Sequence, residues 1–248
     1  MMKKTTLLLV ILSLVSCAEL EQIAETITTT ESSATLTKSD IAKGLKEALR
    51  VGTDTAVNQL SKANGYYKDE LVKILLPQEA NIIIENVNKI PGGGQLIDKV
   101  ILSINRAAED ASKEAAPIFK QSITSMSISD AFGILNGTDT AATHYLRKTT
   151  YNQLYNLYQP KIKTSVNKNL VGNISTAEAW NELTGAWNKF ANSMVGKIGG
   201  YQPVNVNLEN FLTRKALDGL FIKIAEEEKQ IRKDPVARVN DILKRVFG

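Results

Sequence analysis

Thiols, imidazoles and long apolar runs are almost missing from this chain. There is one cysteine and one histidine in 248 residues. A single thiol excludes an internal disulfide and any zinc site built on paired cysteines. A single imidazole excludes the Glu-x-x-His pairs with which di-iron helical bundles hold their metal. Aromatic residues make up 6% of the chain, and strand-like alternation of apolar and polar residues is confined to Val204-Val206-Leu208. Charge is not concentrated either: 30 basic residues stand against 26 acidic ones, and no Lys/Arg run exceeds two. A nucleic-acid footprint needs a dense basic face. The sequence pI near 9.0 therefore describes an ordinary solvated surface and excludes nucleic acid as a partner. No cofactor motif or metal-ligand set is visible. Pro91-Gly92-Gly93-Gly94 lacks the Gly-Lys-Ser/Thr ending of a phosphate loop and follows a helical pattern rather than a strand, so it is a turn.

What is present begins at the N-terminus. Lys3 and Lys4 precede an apolar core from Leu7 to Val15, about half of the ~20 residues a membrane-spanning helix requires. A basic start, a short apolar core and a small residue make a secretory signal. Its ending, Leu14-Val15-Ser16-Cys17, resembles the bacterial lipobox, in which a lipoprotein signal peptidase cuts just before the cysteine. That resemblance makes residues 1–16 a signal peptide and Cys17 the lipidated mature N-terminus, bearing a diacylglycerol and a further acyl chain such as palmitate. Two or more chains anchor stably where one does not. Ala18 is not the aspartate that retains some lipoproteins at the inner membrane. The expected address is the bacterial envelope, on the outer membrane and facing the periplasm.

Residues 17–36, rich in Thr, Ser and Glu, have no sustained apolar period and are expected to be a flexible tether. Residues 37–248 form the expected domain. Ser39 caps a helix carrying Ile41, Leu45, Leu49, Ala56 and Leu60, stopped at Asn64-Gly65. A segment from Lys68 meets Pro77, which opens a helix to Ile90. Gln95–Ala115 is a third, with Leu96, Val100, Ile104, Ala107, Ala108 and Ala111 on one side, and Pro117 starts another. Ser127 and Asp130 bracket a cap-like box before a short helix ending at Asn136-Gly137. Thr138 or Asp139 caps the next, which runs to Gln159 before Pro160 with Leu146, Leu154 and Leu157 as its core stripe. Ser175 and Glu178 cap a helix with a seam of Trp180, Leu183, Trp187, Phe190 and Met194. Gly196 to Pro203 is a loop. Asn207 caps a long helix to Lys233, and Asp234-Pro235 opens the last, with Val239, Ile242, Leu243, Val246 and Phe247 inward. The fold class is all-α: one irregular domain of roughly eight to ten helices.

Several stretches resemble one family. They are Lys215 to Phe221, Ile224-Ala225-Glu226-Glu227-Glu228, Ile231-Arg232, Asp234-Pro235, Arg238 and Val246-Phe247-Gly248. Gly44 to Leu49, Asn105-Arg106-Ala107-Ala108-Glu109 and Ala131 to Tyr145 match as well. Together they resemble domain of unknown function 4197, a family of bacterial envelope proteins. The resemblance implies no activity, cofactor or catalytic residue.

Two groups of residues invite a functional reading. Glu228 falls between Ile224 and Ile231 on a buried stripe, and a buried carboxylate must be paired or shift its pKa. Arg232 is one turn on and Arg238 lies beyond the Pro235 corner, so the ordinary reading is a clamp pinning the last helix. Arg214 and Asp218 are spaced to pair on the helix surface. Gly219 marks a close approach by another helix, and Arg106 is a cross-partner for Asp218 or Glu228. His144, Tyr151, Tyr155 and Tyr158 line one stripe with Arg147 nearby. That strip suits a sugar or aromatic ligand, or rings packed on a neighbouring helix.

These features support a lipid-anchored, non-catalytic binding or interaction module with an envelope protein or small ligand as partner. A hydrolase or transferase using Glu228, Asp218 and Arg106 requires those groups to converge on an open pocket. A structural scaffold of an envelope complex requires a large exposed apolar patch.

Overall fold

A computed structural model describes residues 35–248. The signal, Cys17 and all but the end of the tether lie outside the described residues. Residues Lys38–Gly248 make one compact unit. Among the described residues there are ten α-helices and no strand: α1 (Lys38–Leu60), α2 (Asn81–Glu85), α3 (Gly93–Ser112), α4 (Ala115–Ser125), α5 (Ala131–Leu135), α6 (Ala141–Val166), α7 (Thr176–Ala191), α8 (Met194–Ile198), α9 (Leu208–Lys233) and α10 (Asp241–Phe247).

Helix α9 is the axis. It packs against α1 on one side and α6 on another, while α3 lies against α6 and α7, and α4 and α10 close on α1. Leu212, Ala216, Leu217, Leu220, Ile224 and Ile231 of α9 are fully buried, as are Ile41, Leu45, Ala48, Leu49, Ala56 and Leu60 of α1. Glycine sets how closely these helices approach. A Cβ on Gly44 would lie 2.6 Å from Val246 Cγ2, so α10 rests on the bare backbone of α1 there. Ala48, Ile231 and Leu243 form a small core cluster beside that contact, flanked by Val51, Ala237 and Phe247.

Gly219 has a different neighbour from the expected helix. Its absent side chain makes room for the ring of Tyr66, from the turn after α1, whose Cε1 lies 2.6 Å from where a Cβ would be. The Tyr66 hydroxyl donates to Ala216 O at 2.8 Å. Burial pushes this phenol well above its ordinary pKa, keeping it a neutral donor. Gly219→Ala would gain about 1 kcal/mol in an exposed helix. Here it is expected to lose about 1–3 kcal/mol through overpacking. Urea unfolding reads the sign, and in a Tyr66→Ala background the alanine should no longer be harmful.

Several boundaries differ from the sequence expectation, each for a local reason. Helix α6 continues through Pro160 to Val166. Buried Ile162 and Val166, with Ser165 donating to Asp110 at 2.8 Å, hold the turns beyond the proline and offset the ~3 kcal/mol such a residue costs inside a helix. Leu157 is 41% exposed rather than core, and the seam of α7 ends before Met194, which is 81% exposed. Met194 instead starts α8, which runs into the expected loop as far as Ile198, and Val195 and Ile198 are exposed beside it. The cap of α5 is Asp130 alone, accepting from Gly133 N at 2.9 Å. Pro77 opens only a 3-10 turn before α2. Pro235 likewise starts a 3-10 turn, leaving Val239 exposed, and Asn240 caps α10. Between α1 and Pro77, Val72, Ile74 and Leu76 are buried while Leu71, Lys73 and Leu75 are exposed. That is strand-like alternation without a sheet. The Asn105 side chain supplies the missing partner, accepting from Ile74 N at 2.9 Å and donating to Ile74 O at 2.7 Å.

Candidate functional site

Glu228 is fully buried on the α9 stripe. Its Oε1 accepts from Ala142 N at 3.0 Å and Arg232 Nε at 2.9 Å. Its Oε2 accepts from Thr143 N and Thr143 Oγ1, both at 2.7 Å. Ala142 and Thr143 lie in the first turn of α6, where backbone N–H groups have no helical partner. The N-cap of α6 is Thr140, and it makes no side-chain cap bond. Neither Thr138 nor Asp139 caps the helix. Glu228 does so from α9, 86 residues away in sequence. Asp139 instead meets Lys233, whose hydrogen bond holds that carboxyl below its usual value.

Arg232 extends this tie. Its guanidinium donates to Leu135 O at 2.7 Å and Ile134 O at 3.1 Å, the closing carbonyls of α5. It also lies 5.4 Å from the centre of the Phe247 ring. Arg238 donates to Ile231 O at 3.0 Å and Arg232 O at 3.1 Å, satisfying the end of α9. The clamp therefore fastens α5 and α6 through hydrogen bonds, whereas the last helix is reached only through the Phe247 ring. That corrects the expectation of a clamp on the last helix.

Arg106 meets neither Asp218 nor Glu228. It pairs with Glu109 and donates to Asn64 Oδ1 at 2.9 Å. Asn64 stands at φ +71, a left-handed conformation that asparagine tolerates better than most residues. Glu109 is 3% exposed, and its Oε1 accepts from the backbone N of Tyr66 and Tyr67 at 3.1 Å each. Helix α3 thus holds the turn after α1 by a second buried carboxylate. Glu109 and Asn105 were absent from the sequence-derived candidates. Their signal was two polar side chains, Asn105 and Glu109, one turn apart within an alanine-rich stripe.

The open chemistry lies on the outer seam of α6 and α9. Asp218 pairs with Arg147 rather than Arg214. The Arg147 guanidinium lies 5.3 Å from the Tyr151 ring centre and 5.2 Å from that of Phe221, and the two rings stack at 6.3 Å. Arg214 turns instead to the Tyr155 ring, at 6.0 Å. The Tyr155 hydroxyl donates to Asn210 Oδ1 at 3.1 Å, and Gln159 Nε2 donates to the same oxygen at 2.6 Å. Burial pushes the Tyr151 phenol up and Asp218 adds to this, while Arg147 and Arg214 pull it back. Tyr158 leaves the strip. It is fully buried, 3.5 Å from Ser112 Oγ, because α3 covers this end of the stripe. Burial raises its phenol as well. His144, Tyr151 and Tyr155 remain as the accessible strip, with Arg147 between them.

Two open cavities of about 430 Å³ each flank the Arg147–Asp218 pair, Arg147 lining one and Asp218 the other. His144, Arg147, Lys148, Tyr151 and Asn152 line one. The other runs along α9 past Asn207, Asn210, Phe211, Arg214, Lys215 and Asp218.

A family model described as a protein of unknown function, DUF4197, matches residues 35–248. The chain belongs to the DUF4197 family. No curated protein and no solved structure matches it. In this DUF4197 chain, the stretches that carry the family resemblance hold the framework. Gly44 receives Val246, Asn105 and Glu109 hold the turn after α1, Ile134 and Leu135 receive Arg232, and Glu228 caps α6. Among the described residues, no group of three or more His, Cys, Asp or Glu is placed to hold a metal ion. No helix among them is long and apolar enough to cross a membrane.

Proposed function

We propose that this DUF4197 chain is a lipid-anchored, non-catalytic binding module of the bacterial envelope. Cys17 holds it to the outer membrane, facing the periplasm, and the α6–α9 strip is its binding face. One observation carries this reading: the Arg147 guanidinium rests on two aromatic rings and lines one open cavity, while its partner Asp218 lines another. A charged fork laid on rings is already oriented, so little side-chain entropy is lost when a ligand arrives. The buried carboxylates, by contrast, are occupied with backbone N–H groups and arginines. A hydrolase reading needs Arg106, Asp218 and Glu228 in one place, and each is bound to a different partner.

The test is a photo-reactive amino acid in the anchored protein within intact envelopes. At Lys215, exposed on the α9 side of the strip, it is expected to trap a discrete product that disappears with Cys17→Ala. At Lys244, exposed on α10, it is expected to trap none. Equal products at both positions, or none at Lys215, would remove the strip as the binding face.

A further inference from the structure

The lining of the first cavity has a one-sided chemistry. His144, Arg147, Lys148, Tyr151 and Asn152 supply an imidazole, a guanidinium, an ammonium, a phenol and an amide, and no acidic residue faces in. Among the described residues, Lys148, Arg214 and Lys215 have no ion-pair partner, whereas Arg147 has Asp218. Four cations thus line the two cavities, against the carboxylates of Asp218 and Glu79.

We infer that the His144–Arg147–Lys148–Tyr151 cavity binds a phosphate ester carried on a hydroxylated group such as a sugar or glycerol, and that Asp218 is the internal competitor this phosphate displaces from Arg147. This rests on the reading of the strip as a binding face and names its ligand. Donors of five kinds line it, which suits the several oxygens of a tetrahedral phosphate better than a planar carboxylate. The cavity volume lies in the range of small-molecule sites, which leaves room for the carrier beside the phosphate. Asn152 offers both a donor and an acceptor to carrier hydroxyls.

The exchange conserves charge pairing. Arg147 is already fixed over Tyr151 and Phe221, and it needs only to trade the Asp218 oxygen for one of the ligand's. Asp218 need not be stranded, because Arg214 stands one turn away on α9 and lines the same second cavity. The pairing of Arg214 with Asp218 that helical spacing suggests is, on this inference, the pairing of the liganded state.

Calorimetric titration of the full chain in non-ionic detergent tests it. Glycerol 1-phosphate and glucose 1-phosphate are the probes, with glycerol, glucose and glucuronate as controls. Saturable binding is expected for the two phosphates only. Lys148→Ala, at an exposed position, is expected to weaken it about tenfold, or about 1.4 kcal/mol. Asp218→Asn is expected to tighten it several-fold, because the competitor has gone; a purely structural Arg147–Asp218 pair predicts no gain. Flotation with phosphatidylcholine vesicles, with and without phosphatidylglycerol, separates the sources. Recruitment by phosphatidylglycerol that glycerol 1-phosphate competes away assigns the ligand to a lipid headgroup. Binding of the soluble esters without recruitment assigns it to a free phosphate. Glucuronate binding as tightly as the phosphates, weaker binding by Asp218→Asn, or no binding of either phosphate at millimolar concentration would overturn the inference. If phosphates fail while Lys215 still traps an anchor-dependent product, only the ligand class falls. If both fail, the strip is not a binding face.

Discussion

Glu228→Ala is expected to destabilise the domain by about 3–5 kcal/mol, the range for removing one partner of a buried ion pair. The substitution strands Arg232, whose side chain is 10% exposed, and unmakes the cap on α6 in the same step. Glu228→Gln keeps the shape. Its amide nitrogen must then face either Ala142 N and Arg232 Nε or the Thr143 donors, so a loss of about 1–3 kcal/mol is expected from the unmade bonds. Arg232→Ala in the Glu228→Ala background is expected to cost less than it does alone, because the guanidinium has become the liability. Urea unfolding of the four variants, Arg232→Ala alone included, followed by far-ultraviolet circular dichroism gives these values. Strictly additive losses would mean that the two side chains act independently.

Glu109→Ala is the second large effect, expected at about 3 kcal/mol on the same physical ground. It differs in where the damage appears. Glu109 holds the backbone of Tyr66 and Tyr67, and Arg106 bridges from it to Asn64. Amide exchange at Tyr66 and Tyr67 should therefore quicken before global unfolding. Once the turn loosens, Gly219→Ala should become less harmful, because the Tyr66 ring is then free to withdraw. Uniform loss of protection across α3 and α9 would instead show that the carboxylate supports the whole core.

Periodicity told most of the architecture. Leu217, Leu220, Ile224 and Ile231 announced the buried face of α9, and Ser175 with Glu178 announced a capping box whose two hydrogen bonds are both made. Glu228 was legible as a buried carboxylate, since its position on the stripe follows from spacing alone. Its partners were not. Spacing ranks partners within one helix, whereas Ala142, Thr143 and Ile134 come from elsewhere in the chain. The same limit explains Asp218. On the sequence its neighbour is Arg214, but Arg147 sits across the α6–α9 seam with two rings to lie on. Tyr158 stood in line with the strip, and only the third dimension reveals that α3 covers it. Gly219 was read correctly as a close approach, but what approaches is a tyrosine ring from a turn.

Because α6 borrows its cap from α9 and α1 rests on α9 and α10, the domain closes late during synthesis. A ribosome delivers α1 before the helices α9 and α10 that pack against it. Until residues 208–247 emerge, the growing chain carries an uncovered apolar helix and an α6 whose first turn lacks its acceptors. Long-range closure of this kind slows folding, because chain entropy is lost before the contacts that reward it are made. A nascent or prematurely ended chain would stay open and protease-sensitive, so residues 208–247 decide whether the preceding helices hold together.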